Sequence, residues 1–178
     1  MTRYVALFGA INVGGNRLSM ADLRDVLERE DFEGVETVVA SGNVLFDHED
    51  RPTEGLAEKL GYVVREAFGF DTFAVVLTRD ALAAAIAENP FTDDGEEKLV
   101  HTVFLSAAYD RDELMAFVQS YAGPERLAPG THCFHIDYVE GGGRSLLDPA
   151  MRRAKLKMPR GTARNIRSLR RILAKMDS

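Results

Sequence analysis

The sequence has one cysteine, Cys133, among 178 residues. A single thiol excludes an internal disulfide and is in keeping with a reducing compartment, so a cytoplasmic location is expected. Long apolar runs are absent as well. No stretch approaches the roughly 20 residues that a membrane-spanning helix needs, and no membrane association is expected. Met1-Thr2-Arg3-Tyr4 leads straight into an apolar strand with no small-residue cleavage site after it, so a signal peptide is not expected. Cations are scarce through most of the chain. Residues 1–143 hold 11 Lys/Arg against 26 Asp/Glu, whereas residues 144–176 hold 11 Lys/Arg against Asp148 alone. The net charge of -6 conceals that split. Such an asymmetry suits either an anionic ligand or the acidic remainder of the same chain.

What is present is globular: 46% hydrophobic residues and 28% charged support a packed core. Residues 3–11 form an apolar run with strand character, closed by a turn segment over 12–17. Ser19 opens a helix, with Asp22 three residues on as a weak capping box. Leu23, Val26 and Leu27 then give helical apolar spacing. Val35–Ser41 and Val44–Asp47 read as strands joined by a Gly42-Asn43 hairpin turn. Leu56, Leu60, Val63, Val64 and Ala67 mark a second helix ended by Gly69, and Thr72–Leu77 a fourth strand. The order is βαββαβ, which predicts a four-stranded antiparallel sheet with both helices on one face.

After a helix over 80–88, stopped by Asn89-Pro90, the pattern repeats less regularly. Val100–Ser106 reads as a strand and Glu113–Tyr121 as a helix; Arg126–Ala128 and Cys133–Tyr138 read as a hairpin. Asp148-Pro149 is a helix start signal, Pro159–Arg164 a short strand, and Asn165 a cap for the last helix. The expected class is α+β: two ferredoxin-like (βαββαβ-type) units with helices on one face of each antiparallel sheet, the second unit irregular. The expected divisions are residues 1–79, a linking helix and acidic connection over 80–98, and a second α+β domain over 99–178.

Five segments occur in a recognisable order: Ile11-Asn12-Val13-Gly14-Gly15, Ser41-Gly42-Asn43, Asn89-Pro90-Phe91, Gly143-Arg144-Ser145 and Thr162-Ala163-Arg164-Asn165. In this the chain resembles the bacterial family known as domain of unknown function 1697, along essentially its whole length. The resemblance implies two ferredoxin-like units and no particular activity. Many members carry Arg where this chain has Gly9-Ala10, and Trp and Asn where it has Ile166 and Arg167. Roles that need those side chains are not carried over.

Four constellations bear on chemistry. The βαββαβ topology brings the loop after the first strand and the hairpin between the second and third to one end of the sheet. Asn12, Gly14, Gly15 and Asn16 should therefore meet Ser41, Gly42 and Asn43, a polar corner rich in donors. Ordinary turn chemistry accounts for the same residues. Neither a Walker loop nor a dinucleotide fingerprint is present. The second constellation is the basic end: Arg144, Ser145, Arg164, Asn165, Arg167 and Arg171 are candidate anion contacts. A solvated, neutralising surface is the commoner use of such a run. Third, alternation groups Tyr4 with Phe8 and Phe46 with His48 on one sheet face, as base-stacking RNA-binding domains do. Gly42–Phe46 lacks their basic, aromatic signature, and burial of that face against the second domain explains the rings better. Fourth, Cys133 and His135 share a strand face, which supplies two ligands where a structural zinc site needs four. No metal and no cofactor are therefore expected, and a thiol in mid-strand reads as buried and inert.

The leading expectation is a non-catalytic binding module for an anionic ligand, either nucleic acid or a phosphorylated small molecule. The alternatives are an enzyme with a small-molecule site at the Asn12–Asn16/Ser41–Asn43 corner, and a protein–protein assembly module. No catalytic constellation is recognisable, and the sequence sets no oligomeric state.

Overall fold

The computed structural model describes residues 1–11, 17–39 and 42–178. The chain divides into two units, Met1–Ala83 with Arg171–Ser178, and Ala84–Arg170. These bounds differ from the expected 1–79 and 99–178: residues 84–98 belong to the second unit and 171–178 to the first. Local interactions account for both shifts. Arg79 grips Asp177 through Nε–Oδ1 at 2.8 Å and a second nitrogen at 3.0 Å, and Lys175 lies 3.7 Å from Glu36. Arg126 holds Asp94 at 2.9 Å, and Asn89 donates to Thr102 at 3.4 Å.

The first unit runs β1 (Thr2–Gly9), α1 (Met20–Glu28), β2 (Glu33–Thr37), β3 (Asn43–His48), α2 (Thr53–Phe68), β4 (Phe73–Thr78). The sheet order is β2-β3-β1-β4 with every neighbouring pair antiparallel. Ser19 caps α1 by accepting the Asp22 N–H at 3.0 Å. Gly69 ends α2 at a φ of 76°, a left-handed turn that glycine adopts without steric penalty. Strand β2 ends at Thr37, and Asn43, expected in a two-residue turn with Gly42, belongs to β3 opposite Leu7.

Strand alternation and helix periodicity meet in one core. Tyr4, Ala6 and Phe8 of β1 and Val44 and Phe46 of β3 cluster with Leu23, Leu27, Leu56 and Leu60 of the helices. Tyr4 stacks on Phe46 at 5.6 Å, and Phe32 meets Phe46 edge-on at 5.0 Å. These aromatics therefore lie on the helix-covered face, contrary to the expectation of burial against the second domain. Rings sealed under α1 and α2 are closed to base stacking.

The second unit contains the C-terminal end of α3 (Arg79–Glu88) and then β5 (Val100–Leu105), α4 (Arg111–Ser120), β6 (Arg126–Pro129), β7 (Cys133–Asp137), a 3-10 turn (Gly142–Arg144), α5 (Leu147–Arg153), β8 (Gly161–Asn165) and the start of α6 (Ile166–Met176). Its sheet order, β6-β7-β5-β8, repeats that of the first with each strand replaced by its counterpart. Asp110 caps α4, accepting from the N–H groups of Asp112 and Glu113 at 2.9 and 3.1 Å. Helix α5 begins at Leu147, so Asp148 stands in the first turn and is not the cap. Val103, Leu105, Phe134 and Ile136 pack on Leu114, Phe117 and Leu147. Residues of opposite parity, among them Thr102, Cys133, His135 and Arg164, occupy the other face of this sheet.

The architecture is α+β, with two four-stranded antiparallel sheets and six α-helices among the described residues. No described helix is long and apolar enough to cross a membrane.

Candidate functional site

Of the polar corner, Asn12, Gly14, Gly15, Asn16 and Ser41 lie outside the described residues. Gly42 sits against the end of β1, its carbonyl accepting the Phe8 N–H at 2.8 Å, and Asn43 is buried in β3. A cleft of about 550 Å³ in the first unit lies at the other end of that sheet, lined by Asp31, Glu33, His48, Arg51 and Lys59.

The basic candidates divide by what their side chains already do. Ser145 donates to Glu125 and accepts the Leu147 N–H at 3.1 Å, which commits its hydroxyl to bracing the start of α5. Asn165 caps α6 by accepting the Ser168 N–H at 2.8 Å, as the sequence suggested. The Ser145 hydroxyl and the Asn165 side-chain oxygen are thus engaged within the fold. Arg144 and Arg167 are exposed in the second unit and Arg171 is exposed in the first. Arg170, on the same helix, pairs with Glu97 at 2.7 Å, an example of neutralisation within the unit.

Arg164 differs from them. It is half-buried in β8, opposite Thr102 of β5, and donates to Thr162 Oγ1 and to the Ala163 carbonyl. Burial brings its guanidinium pKa down to about 10. Thr102 in turn stands opposite His135 of β7, so Arg164, Thr102 and His135 project from one face of the sheet. Arg164 and His135 are two strand spacings apart, roughly 10 Å.

Around His135 the structure assembles a group that sequence reasoning missed. Cys133 and His135 are each 0% exposed, two residues apart on β7. The third member is Glu88, the last residue of α3. The Cys133 thiol donates to Glu88 Oε1 at 3.2 Å, His135 Nε2 lies 3.3 Å from the same oxygen, and Sγ and Nε2 are 3.8 Å apart. Thr131 holds the carboxylate from the hairpin turn, its N–H on Oε1 at 2.9 Å and its hydroxyl on Oε2 at 3.2 Å. On the far side of the imidazole, Nδ1 lies 2.8 Å from Thr102 Oγ1, to which Asn89 Nδ2 donates at 3.4 Å.

The count of two metal-capable ligands was therefore short by Glu88. Its sequence signals were indirect. Asn89-Pro90 ends the helix immediately after it, and Asn89 Oδ1 fixes that stop by accepting the Phe91 N–H at 2.9 Å. A carboxylate in the last turn also opposes the helix dipole, a placement that needs compensation elsewhere. Here burial disfavours the Glu88 charge, but bonds from Thr131, Cys133 and His135 outweigh it and hold the carboxyl below its ordinary range. Burial, with the Glu88 carboxylate, pushes the Cys133 thiol far up. Burial lowers His135, and Glu88 offsets part of that. The resting group is a thiol, a neutral imidazole and a carboxylate, which is not an activated nucleophile.

Fold and site together define a two-unit α+β protein whose second sheet carries Thr102, Cys133, His135 and Arg164 on the face away from α4 and α5. The chain belongs to the family described as Protein of unknown function (DUF1697), which matches residues 1–135. No curated protein matches it. Among solved structures it is similar to conserved bacterial protein SP0830 from Streptococcus pneumoniae, at 25% identity and a TM-score of 0.76, covering 100% of this chain and 99% of that one.

Proposed function

We propose that the protein is a binding module for an anionic ligand, which it engages through the basic end of its second unit with Arg164 as the central contact. The observation that carries this reading is the placement of Arg164: strand register sets this half-buried residue opposite Thr102. A half-buried cation on a strand of the sheet interacts with a phosphate or carboxylate more strongly than a flexible surface arginine does. The exposed Arg144, Arg152, Arg153, Lys155 and Lys157 of the same unit add long-range attraction.

The test is titration of the full chain with a nucleoside triphosphate and with a single-stranded oligonucleotide, at several salt concentrations. The expected result is binding that weakens linearly on a log–log salt plot. Arg164→Gln should weaken it about 10-fold or more, the size of one charge-assisted hydrogen bond. Arg152→Ala/Arg153→Ala should mainly reduce the salt slope. A preference for one probe separates a small phosphorylated ligand from nucleic acid. Absence of binding to both, or affinity unchanged in Arg164→Gln, refutes the proposal.

A further inference from the structure

We propose that Glu88, Cys133 and His135 form a binding site for a zinc-class divalent cation. The donor set is one thiol sulfur, one imidazole nitrogen and one carboxylate oxygen, drawn from the end of α3 and from β7. Magnesium and calcium favour all-oxygen shells, and an iron–sulfur cluster needs several thiolates where this chain has one cysteine. A mixed sulfur, nitrogen and oxygen set suits zinc and the metals that substitute for it.

The spacing of the donors fits as well. Bond lengths of about 2.0–2.3 Å in a tetrahedral site put ligand atoms roughly 3.3–3.6 Å apart. The three observed separations are 3.2, 3.3 and 3.8 Å, so a few tenths of an ångström of adjustment converts the hydrogen-bonded trio into three corners of a tetrahedron.

Gly130 supplies an independent observation. A Cβ at this position would stand 2.5 Å from Glu88 Oε1, 2.7 Å from Cys133 Sγ and 2.7 Å from His135 Nε2. Those are the same three donor atoms. The backbone of Gly130 does not have the positive φ that would itself demand glycine. What glycine provides is the space between the donors, which any larger residue would fill.

The outer contacts are also those a metal site uses. Nδ1 of His135 lies on Thr102 Oγ1, which leaves Nε2 to point at the cluster, and Thr131 fixes both carboxylate oxygens. Cys133 and His135 are closed off, while the Glu88 side chain is 31% exposed, so the carboxylate marks the side open to an entering ion and to a fourth ligand. Binding would replace the thiol proton by the metal and release that proton to solvent. It would also leave Nε2 unprotonated, with the remaining imidazole proton on Nδ1 facing Thr102.

The competing reading is a buried hydrogen-bonded trio with no affinity for metal. Cobalt titration of the full chain, after chelator treatment, separates the two. Cys133 is the only cysteine, so a thiolate-to-cobalt charge-transfer band can come from no other residue. The expected result is one cobalt per chain, with that band and the strong visible absorption of tetrahedral cobalt, both removed by stoichiometric zinc. Glu88→Gln should weaken cobalt binding at least 10-fold, and Thr102→Val about 10- to 100-fold with the band position retained. Failure of the unmodified chain to develop the band at millimolar cobalt overturns the proposal whatever the variants do. Unchanged affinity in a folded Glu88→Gln chain overturns the three-donor site.

Discussion

Replacing Gly130 by alanine tests the packing of the buried trio, independently of any ligand. The added methyl would lie 2.5–2.7 Å from three heavy atoms, nearly an ångström inside ordinary contact distance. Glu88 can swing outward, but only by giving up its bonds to Thr131. Cys133 and His135, each fully buried on a central strand, have nowhere to move. Overpacking of this kind costs about 1–3 kcal/mol. Alanine also restricts the unfolded chain, which returns about 0.4–1 kcal/mol. The net expectation is a loss of about 1–2 kcal/mol, read as a lower urea midpoint for the Ala84–Arg170 unit with unchanged slope. Gly143→Ala is the matched control. No atom lies within 4 Å of a Cβ at Gly143, so that variant should be neutral or slightly stabilised. A Gly130→Ala chain that unfolds at or above the wild-type midpoint would refute the steric reasoning.

Three further outcomes follow from the same contacts. Tyr109→Phe removes a hydroxyl whose one proton is shared between the Gly130 and Cys133 carbonyls, at 3.0 and 2.8 Å, and whose oxygen accepts the Gly130 N–H at 3.1 Å; a loss of about 1–3 kcal/mol in denaturant unfolding is expected. Leu114→Ala, at a fully buried position under the second sheet, should cost about 2–5 kcal/mol by the same measurement. Glu125 is pushed up by burial but held below its ordinary value by hydrogen bonds from Ser145 and Tyr121. A depressed carboxyl stabilises the fold above its unfolded pKa and loses that contribution as pH falls through the folded value. The stability gap between wild type and Glu125→Gln should therefore be full near neutrality and close progressively below about pH 4.3. A gap independent of pH would remove the charge from the explanation.

Most of the fold was legible in the sequence because it rests on local rules. Ser19 and Asn165 are caps in the structure as they are in the sequence, since a side-chain oxygen beside free helix N–H groups acts within three residues. Alternation and helical spacing were enough to order the strands and helices. Where a reading failed, a longer-range choice had decided the outcome. Periodicity groups Tyr4 with Phe8 but does not say which face the helices cover. Gly42-Asn43 reads as a tight turn, yet pairing with Leu7 takes Asn43 into β3.

The candidate site divides along the same line. By itself the sequence determined the α+β class, the concentration of positive charge after residue 143, and the shared strand face of Cys133 and His135. Each of these depends on composition or on a spacing of a few residues. Only the tertiary structure decided that Arg164 is drawn half inside and that Arg170 meets Glu97. Only it brought Glu88, at the end of one helix, to a thiol and an imidazole some 45 residues away, with Gly130 of the adjoining hairpin turn set against all three. The physical reason is distance along the chain: contacts between residues so far apart are set by how sheet and helices pack, and no local pattern records them.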